Sequence, residues 1–259
     1  LIEAVAAFSM SLLDILRETG ITIIKPQAAF YEALGSGGMA VYEAICERAR
    51  VLDMVVIADV KRGDIGSTSD AYAAAWLGGT EFQGMRAAPV PCDALTVNPY
   101  LGSDGLLPFY KAAAATGRGV FTLLKTSNPS SGELQDLKLA DGTPVYIAMA
   151  KRIKELSAAY PLAAGYSHIG AVVGATYPEV ARELRELLPN TIFLVPGYGA
   201  QGATVKDLSV SFKADGTGAI VNSSRGVIHC YKPEDTDWAS KVASAARAFI
   251  QDLRSLPVP

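Results

Sequence analysis

Short apolar segments alternate with helical patterns along the chain, and this alternation is the feature that most restricts its fold. Seven such segments lie near residues 21, 54, 94, 119, 169, 191 and 219. Most of them are continuous apolar runs, which are typical of parallel strands covered on both faces. Helices are predicted at 1–19, 38–52, 67–77, 106–116, 145–160, 178–188 and 237–253. The sequence therefore predicts an α/β fold with a parallel sheet.

The polar clusters of the chain fall directly after the predicted strands. A (β/α)8 barrel gathers its functional residues at the carboxyl ends of its strands. This placement favours a barrel over the alternative, an open doubly wound sheet. A barrel needs eight strands, and the chain opens on a helical pattern, so we expect the first strand to lie before Leu1 and to be missing here. The 259 residues suffice for a single barrel domain spanning 1–259.

The second apolar run leads into the stretch IADVKRGDIG, residues 57–66, which supplies Asp59, Lys61 and Asp64 in quick succession. Residues two apart on a strand point to the same face, so Asp59 and Lys61 should project together. Asp64 follows just past the strand end, where glycines allow a sharp turn. Burying three charges is costly unless they are paired. The pattern predicts a catalytic array, with an ion-pair cluster on a solvated rim as the alternative.

Other strand ends supply further polar residues. Lys25 ends the first predicted strand, Asn98 the third, and Ser127 follows the fourth. The sixth strand leads into PGYGAQG, which contains Gly199 and Gln201, and the last leads into SSRG, which contains Arg225. Glycine-rich turns let backbone N–H groups approach an anion, and an arginine adds a charged fork. Together these two loops predict a phosphate site.

Composition excludes several classes of function. The net charge is −3, without the basic stripe that a nucleic-acid surface requires. No apolar run approaches the ~20 residues that span a bilayer. The three cysteines, Cys46, Cys92 and Cys230, are too far apart in sequence to indicate a metal site or a disulfide framework. We therefore expect a cytoplasmic protein in a reducing compartment, with no nucleic-acid partner and no membrane association.

The motifs together resemble those of one family. The run DVKRGD, residues 59–64, resembles the Asp-x-Lys-x-x-Asp signature of the orotidine 5′-monophosphate decarboxylase family. Lys25 resembles its second-strand lysine, and PGYGAQG and SSRG are similar to its phosphate-gripping segments. KRGDIGST, VNPYLG and TSNPSSG look most like its longer bacterial branch. The resemblance covers nearly the whole chain, with the motifs in the right order on the right strands.

This resemblance implies a role for each matching residue. Lys61 would stabilise and protonate a carbanion, Asp59 would lie beside the substrate carboxylate, and Lys25 would orient Asp59 and bind a ribose hydroxyl. Asp64 and the position of Thr68 would come from the second subunit of a homodimer. The residues implied to bind the substrate, orotidine 5′-monophosphate, are Thr68, Asn98, Ser127, Pro196, Gly199, Gln201 and Arg225. The resemblance implies no metal and no cofactor. The family's first strand, which carries a ribose-binding aspartate, has no counterpart before Leu1.

Three alternatives remain open at this point. Sugar-phosphate aldolases and decarboxylases of the same superfamily use Mg²⁺, held partly by an acidic residue where this chain has Lys25. A Schiff-base aldolase would need a neutral lysine at 61 or 125, but flanking carboxylates keep Lys61 charged. A non-catalytic nucleotide-binding barrel would need neither Asp59 nor Lys61.

The polar segment 205–218 is expected to close over the phosphate as a lid.

Overall fold

The computed structural model describes residues 1–199 and 204–257. The strands are β1 (Ile23–Ile24), β2 (Val55–Arg62), β3 (Thr80–Phe82), β4 (Met85–Ala87), β5 (Ala94–Val97), β6 (Gly119–Lys125), β7 (Ile169–Val173), β8 (Phe193–Val195) and β9 (Ala219–Val221). The α-helices are α1 (Ile2–Glu18), α2 (Ala29–Glu32), α3 (Gly35–Val51), α4 (Gly66–Ala73), α5 (Ser103–Thr116), α6 (Gly132–Gln135), α7 (Val145–Ser157), α8 (Pro178–Leu187), α9 (Val205–Ser209), α10 (Arg225–Ile228) and α11 (Trp238–Arg254). A π-helical turn covers Ala74–Gly78, and a 3₁₀ turn covers Pro129–Ser131.

Seven of these strands form one parallel sheet in the order β1-β2-β5-β6-β7-β8-β9. Their order in space is their order in the chain, which is the strand order of a (β/α) barrel and not of a doubly wound sheet. The strands are those that the seven apolar runs predict, so the parallel α/β architecture is confirmed. Because all the strands run the same way, their carboxyl ends meet at one edge, where the polar clusters lie.

The sheet is curled around an interior of its own. One small apolar cluster takes a side chain from every strand of the sheet: Ile23, Ile57, Ala94, Phe121, Val172, Leu194 and Ile220. Residues of the first and last strands can share one small cluster only if the sheet bends back toward itself. A second, larger cluster fills the space between the outer face of the sheet and the helices. This is the two-layered packing of a (β/α) barrel.

Among the described residues, the two edge strands of the sheet do not pair with each other, but the helices next to them do pack together. In the described part of the chain, β9 and β1 are not paired with each other. Helices α1 and α11 nevertheless pack side by side over this break, with the rings of Phe8 and Trp238 at 5.4 Å. The break lies where the family resemblance predicts a further strand.

A β-hairpin interrupts the alternation between the π-helical turn and β5. Its antiparallel strands β3 and β4 pair Thr80 with Ala87, and the turn residues Gln83 and Gly84 have φ of 49° and 79°. Positive φ at both central residues is the type I′ geometry that suits a two-residue hairpin. The sequence analysis missed this hairpin because its turn lacks the usual Asn-Gly or Asp-Gly signal.

The expectation that 205–218 forms a lid is wrong. Leu208 is buried in the large outer cluster, and Ser211 is buried as well. The guanidinium of Arg185 donates to the carbonyl oxygens of Ser211 and Gly218, both at 2.8 Å. A segment fixed by apolar burial and by two such bonds belongs to the scaffold. Polar composition alone suggested mobility, but Leu208, Val210 and Phe212 pack in or against the outer apolar cluster.

Within the described residues, no helix is both long enough and apolar enough to cross a membrane. Trp76 and Trp238 pack against other aromatic rings. His168 lies against the Tyr110 carbonyl oxygen at 3.3 Å, whereas His229 is exposed. The three cysteines are free thiols.

Candidate active site

A cavity of about 730 Å³ opens at the carboxyl ends of the strands. Six of the residues predicted from the sequence line it: Lys25, Asp59, Lys61, Asn98, Ser127 and Pro196. They come from β2 or from segments that directly follow β1, β5, β6 and β8. The fold therefore brings together side chains that are up to 171 positions apart (Pro196 minus Lys25) in the sequence.

Asp59 is the centre of a charged cluster on the cavity wall. Lys25 Nζ donates to Asp59 Oδ2 at 2.5 Å, and Lys61 Nζ donates to Asp59 Oδ1 at 2.5 Å. The Asp59 side chain is only 8% exposed, whereas that of Lys61 is 46% exposed. The carboxylate is thus held in the wall, and it directs the Lys61 ammonium toward the open space.

The surroundings of Asp59 keep it ionised. Burial alone raises the pKa of this carboxyl, but the ammonium groups of Lys25 and Lys61 outweigh burial and hold its pKa below its usual range. Each oxygen also accepts a bond from a neutral donor: Gln27 Nε2 to Oδ2 at 3.1 Å, and Thr96 Oγ1 to Oδ1 at 3.0 Å. A carboxylate with four donors is both charged and fixed in orientation.

Sequence reasoning missed both neutral donors, Gln27 and Thr96. Gln27 follows Pro26 and aligns with Asp59 in a short parallel bridge. Thr96 is the one polar residue of the apolar strand β5 and is 1% exposed. A hydroxyl in the middle of a buried strand needs a hydrogen-bond partner. That requirement is the signal that could have drawn attention to Thr96.

Ser127 reaches the cavity because β6 and β7 approach closely at their ends. A Cβ on Gly174 would meet the backbone nitrogen of Ser127 at 3.0 Å and its Cβ at 2.9 Å. Gln135 then fixes the loop in two directions. Its Oε1 accepts from the Thr126 amide at 3.0 Å, and its Nε2 donates to Thr126 Oγ1 at 2.8 Å.

Lys125 lies beneath this loop and is fully buried. Its ammonium donates to Asp136 Oδ1 at 2.5 Å and lies 4.5 Å from the centre of the Tyr177 ring. An ammonium that is paired with a carboxylate and covered by an aromatic ring is not a neutral nucleophile. The geometry therefore gives Lys125 a structural role and does not support a Schiff base at this residue.

Comparison with known proteins supplies the family. The sequence model described as the orotidine 5′-phosphate decarboxylase / HUMPS family matches residues 8–236. The chain belongs to this family. It is 43% identical, over 241 residues, to the orotidine 5′-phosphate decarboxylase of Rhodopirellula baltica, an alignment that covers 90% of this chain and 78% of that protein. It is 44% identical over 226 residues to the protein of the same name from Deinococcus radiodurans, covering 86% of this chain and 78% of that one.

Solved structures agree with this family and its fold. The structure of Leishmania donovani OMP decarboxylase superposes with a TM-score of 0.78 at 31% identity, covering 99% of this chain and 89% of that chain. The orotidine 5′-monophosphate decarboxylase of Methanocaldococcus jannaschii, complexed with the inhibitor BMP, gives a TM-score of 0.69 at 17% identity and covers 96% of this chain and 94% of that chain. The second similarity is one of fold.

Of the residues predicted for the phosphate side, Pro196 lines the cavity, whereas Gly199 and Arg225 are not among its lining residues in the described part of the chain. Gly199 is exposed with φ of 71°, in the left-handed region that favours glycine. Arg225 is exposed and begins α10. Tyr198, directly before Gly199, donates to Asp252 Oδ2 at 2.6 Å, which ties this loop to α11. Gln201 lies outside the described residues.

Asp64 and Thr68 are not among the hydrogen-bond partners of the cluster around Asp59 in the described part of the chain. Asp64 lies between β2 and α4, where its Oδ1 accepts from the Ile65 amide at 2.8 Å. Thr68 is exposed on α4. In the described part of the chain, neither contributes to the cavity lining. Thr68 is exposed and Asp64 is half-buried, so both remain accessible at the surface where the resemblance places the second subunit.

The residues around Asp59 are poorly suited to hold a divalent cation. Among residues 1–199 and 204–257, no three or more His, Cys, Asp or Glu side chains are grouped so that they could bind a metal ion. Both Asp59 oxygens already face an ammonium group at 2.5 Å. A cation at this carboxylate would have to displace Lys25 or Lys61.

Proposed function

We propose that this protein decarboxylates orotidine 5′-monophosphate to uridine 5′-monophosphate, the last step of UMP synthesis, through its own side chains and without a cofactor. The observation that carries the proposal is the buried Asp59 carboxylate, paired with both Lys25 and Lys61 at 2.5 Å on the wall of one cavity. Membership of the family supports the same reaction.

The substrate would lie across the cavity, with its base and its phosphate at opposite sides. Asn98 and Ser127 would contact the pyrimidine, and Lys25 would bind a ribose hydroxyl. Pro196, Gly199, Gln201 and Arg225 would surround the phosphate. A guanidinium fork and backbone N–H groups suit this dianion, because both donate to several phosphate oxygens at once.

The chemical step needs one bond to break and one proton to move. The bond between C6 of the pyrimidine and its carboxylate breaks, CO₂ leaves, and the electron pair remains on C6. The Lys61 ammonium stabilises this carbanion and then transfers its proton to C6, and water restores the proton to Lys61. Lys61 suits this role because Asp59 keeps it directed into the cavity.

Electrostatics supplies part of the acceleration. Two unit negative charges at about 4 Å, those of the substrate carboxylate and Asp59, repel by about 4 kcal/mol at an effective dielectric of 20. Relief of that repulsion is worth at most about three decades of rate. The fixed Lys25–Asp59–Lys61 array acts on the developing charge at C6 with little reorganisation, and we expect this preorganisation to be the larger effect.

We further propose that residues 1–259 form one barrel domain of a cytoplasmic homodimer. In this dimer, Asp64 and Thr68 of each chain would complete the site of its partner. The accessibility of both residues at the surface, and their absence from the cavity lining of the described single chain, support this arrangement.

The test is the loss of orotidine 5′-monophosphate absorbance on incubation with the full-length protein, with EDTA present throughout. We expect metal-independent turnover that Lys61→Ala abolishes. Lys111→Ala, which truncates an exposed lysine on α5, serves as the matched control and should leave turnover unchanged. Turnover that survives Lys61→Ala, or that needs added Mg²⁺, would contradict the proposal and favour the magnesium-dependent sugar-phosphate reactions.

A further inference from the structure

Lys61 has an unusual backbone conformation for a residue in a strand. Its φ is 45°, in the left-handed region. Few residues other than glycine adopt this conformation, and those that do are concentrated at functional sites. Something in the surrounding structure must therefore hold the Lys61 backbone in place.

The conformation belongs to a bulge in β2. Ala58 pairs with Leu95 and Arg62 pairs with Val97, so three residues of β2 lie opposite Thr96 alone. Such a bulge interrupts the ladder of backbone hydrogen bonds. The amide groups of Val60 and Lys61 consequently need acceptors other than the backbone of β5.

The Thr96 hydroxyl is that acceptor. Thr96 Oγ1 accepts from the Val60 amide at 3.0 Å and from the Lys61 amide at 2.9 Å. A hydroxyl has one proton and two lone pairs. Since the two amides occupy the lone pairs, the proton points to Asp59 Oδ1, which lies 3.0 Å away. The hydroxyl has no remaining hydrogen-bonding capacity and no freedom to rotate.

Thr96 therefore fixes Lys61 at both ends. It binds the Lys61 backbone directly, and it binds the same Asp59 oxygen that accepts from the Lys61 ammonium. We propose that Thr96 is a positioning residue for the decarboxylation, holding the bulged backbone and the Asp59 carboxylate in the one arrangement that directs the Lys61 ammonium at C6. The proposal rests on the function proposed above. Nothing in it requires Thr96 to touch the substrate.

The decisive variant is Thr96→Val, which keeps the shape of the side chain and removes the hydroxyl. Misplacing a reacting group by about 1 Å costs roughly 100-fold in rate, so we expect kcat to fall about 100-fold. KM should change little, because the substrate-binding side chains are untouched. The acid limb of the kcat–pH profile should move to higher pH, because the Asp59 carboxylate loses a donor that favours its ionised form.

Two further variants separate positioning from general stability. Thr96→Ser keeps the hydroxyl and should recover most of the lost kcat, although it loses the methyl group that restricts χ1. Thr122→Val is the matched control, since Thr122 is equally buried on the neighbouring strand β6 but binds Tyr110 in the helical layer. It should lower stability without changing the kcat of the folded enzyme.

The outcomes distinguish this proposal from the function on which it rests. If the wild-type protein does not consume orotidine 5′-monophosphate, the proposed function fails. If the wild type is active and Lys61→Ala is not, a Thr96→Val enzyme with unchanged kcat and pH profile overturns the role of Thr96. Should Thr96→Val not fold, Thr96→Ala replaces it. Equal kcat values for the Ser and Ala variants would then overturn the proposal, and a Ser variant at least about 10-fold faster would support it.

Discussion

Two lysine–aspartate pairs lie at strands of the same sheet, and they differ in which of the two residues is buried. At β2, the Asp59 carboxylate is buried and the Lys61 ammonium is half exposed in the cavity. At the end of β6, the Lys125 side chain is 1% exposed, while Asp136 is 50% exposed. Both pairs have the same 2.5 Å separation. The role of each pair depends on which of its two residues is buried, because only the exposed residue can contact a substrate.

The largest effect is expected from removing the charge of Asp59. Asp59→Asn eliminates its repulsion of the substrate carboxylate and weakens its hold on both ammonium groups. We expect kcat to fall by at least about three decades, the value of that repulsion alone. Asp136→Asn should leave the kcat of the folded enzyme close to that of the wild type. Similar losses of kcat in the two variants would remove the distinction between the clusters.

The Lys125–Asp136 pair should affect the stability of the fold, not the rate of the reaction. Asp136→Asn leaves the Lys125 ammonium buried with only aromatic rings beside it, and we expect a loss of roughly 2–3 kcal/mol in the free energy of unfolding. Lys125→Met removes the buried charge together with its need for a partner, so it should change stability by no more than about 1 kcal/mol. Urea unfolding of the two variants measures both values. A Met variant less stable than the Asn variant would show that the pair itself stabilises the fold.

A smaller effect should come from the contact that places Ser127 beside the Asp59 cluster. In Gly174→Ala, the new Cβ would lie 3.0 Å from the Ser127 backbone, so the Ser127 loop must shift. We expect KM to rise about 10-fold, equivalent to roughly 1.4 kcal/mol, with a smaller change in kcat. Gly78→Ala is the control, because a Cβ there meets nothing within 4 Å. Steady-state kinetics that show the same KM for both variants would place Ser127 outside the binding site.

The smallest change concerns pH. Since the pKa of Asp59 is held below its usual value of about 3.9, kcat at saturating substrate should vary less than about twofold between pH 7 and pH 5 through this group.

Asp59 contributes stability above its unfolded pKa, and this stability is lost as the pH falls through the lower folded pKa. The stability difference between the wild type and Asp59→Asn should therefore shrink only below about pH 4. A difference that shrinks near pH 6 would mean that the lysines do not lower this pKa.

The sequence was sufficient to predict the sheet and six of the residues that line the cavity. Most of its seven strands are built on continuous apolar runs, and Lys25, Asp59 and Lys61 lie at or near the carboxyl ends of β1 and β2. These features depend on local patterns. Thr96 could not be assigned a role in this way, because its hydroxyl acts across a bulge on a strand more than 30 positions away in sequence.

Other errors have the same physical origin. The segment 205–218 is polar in composition, and only its packing shows that Leu208 and Ser211 face inward. The hairpin at residues 80–87 has a Gln-Gly turn, whose left-handed backbone is not a general property of that pair of residues. In each case, a tertiary contact or a turn geometry overrides what the local sequence indicates.

Arg185 joins two strands at the end of the sheet opposite to the cavity. Its guanidinium donates to the carbonyl oxygens of Leu188 and Thr191 before β8, and to those of Ser211 and Gly218 before β9. Amides of β8 and α9 should consequently exchange their hydrogens with solvent as one cooperative unit. The rate at which this part of the sheet opens would then depend on Arg185, which is not among the residues that line the cavity in the described part of the chain.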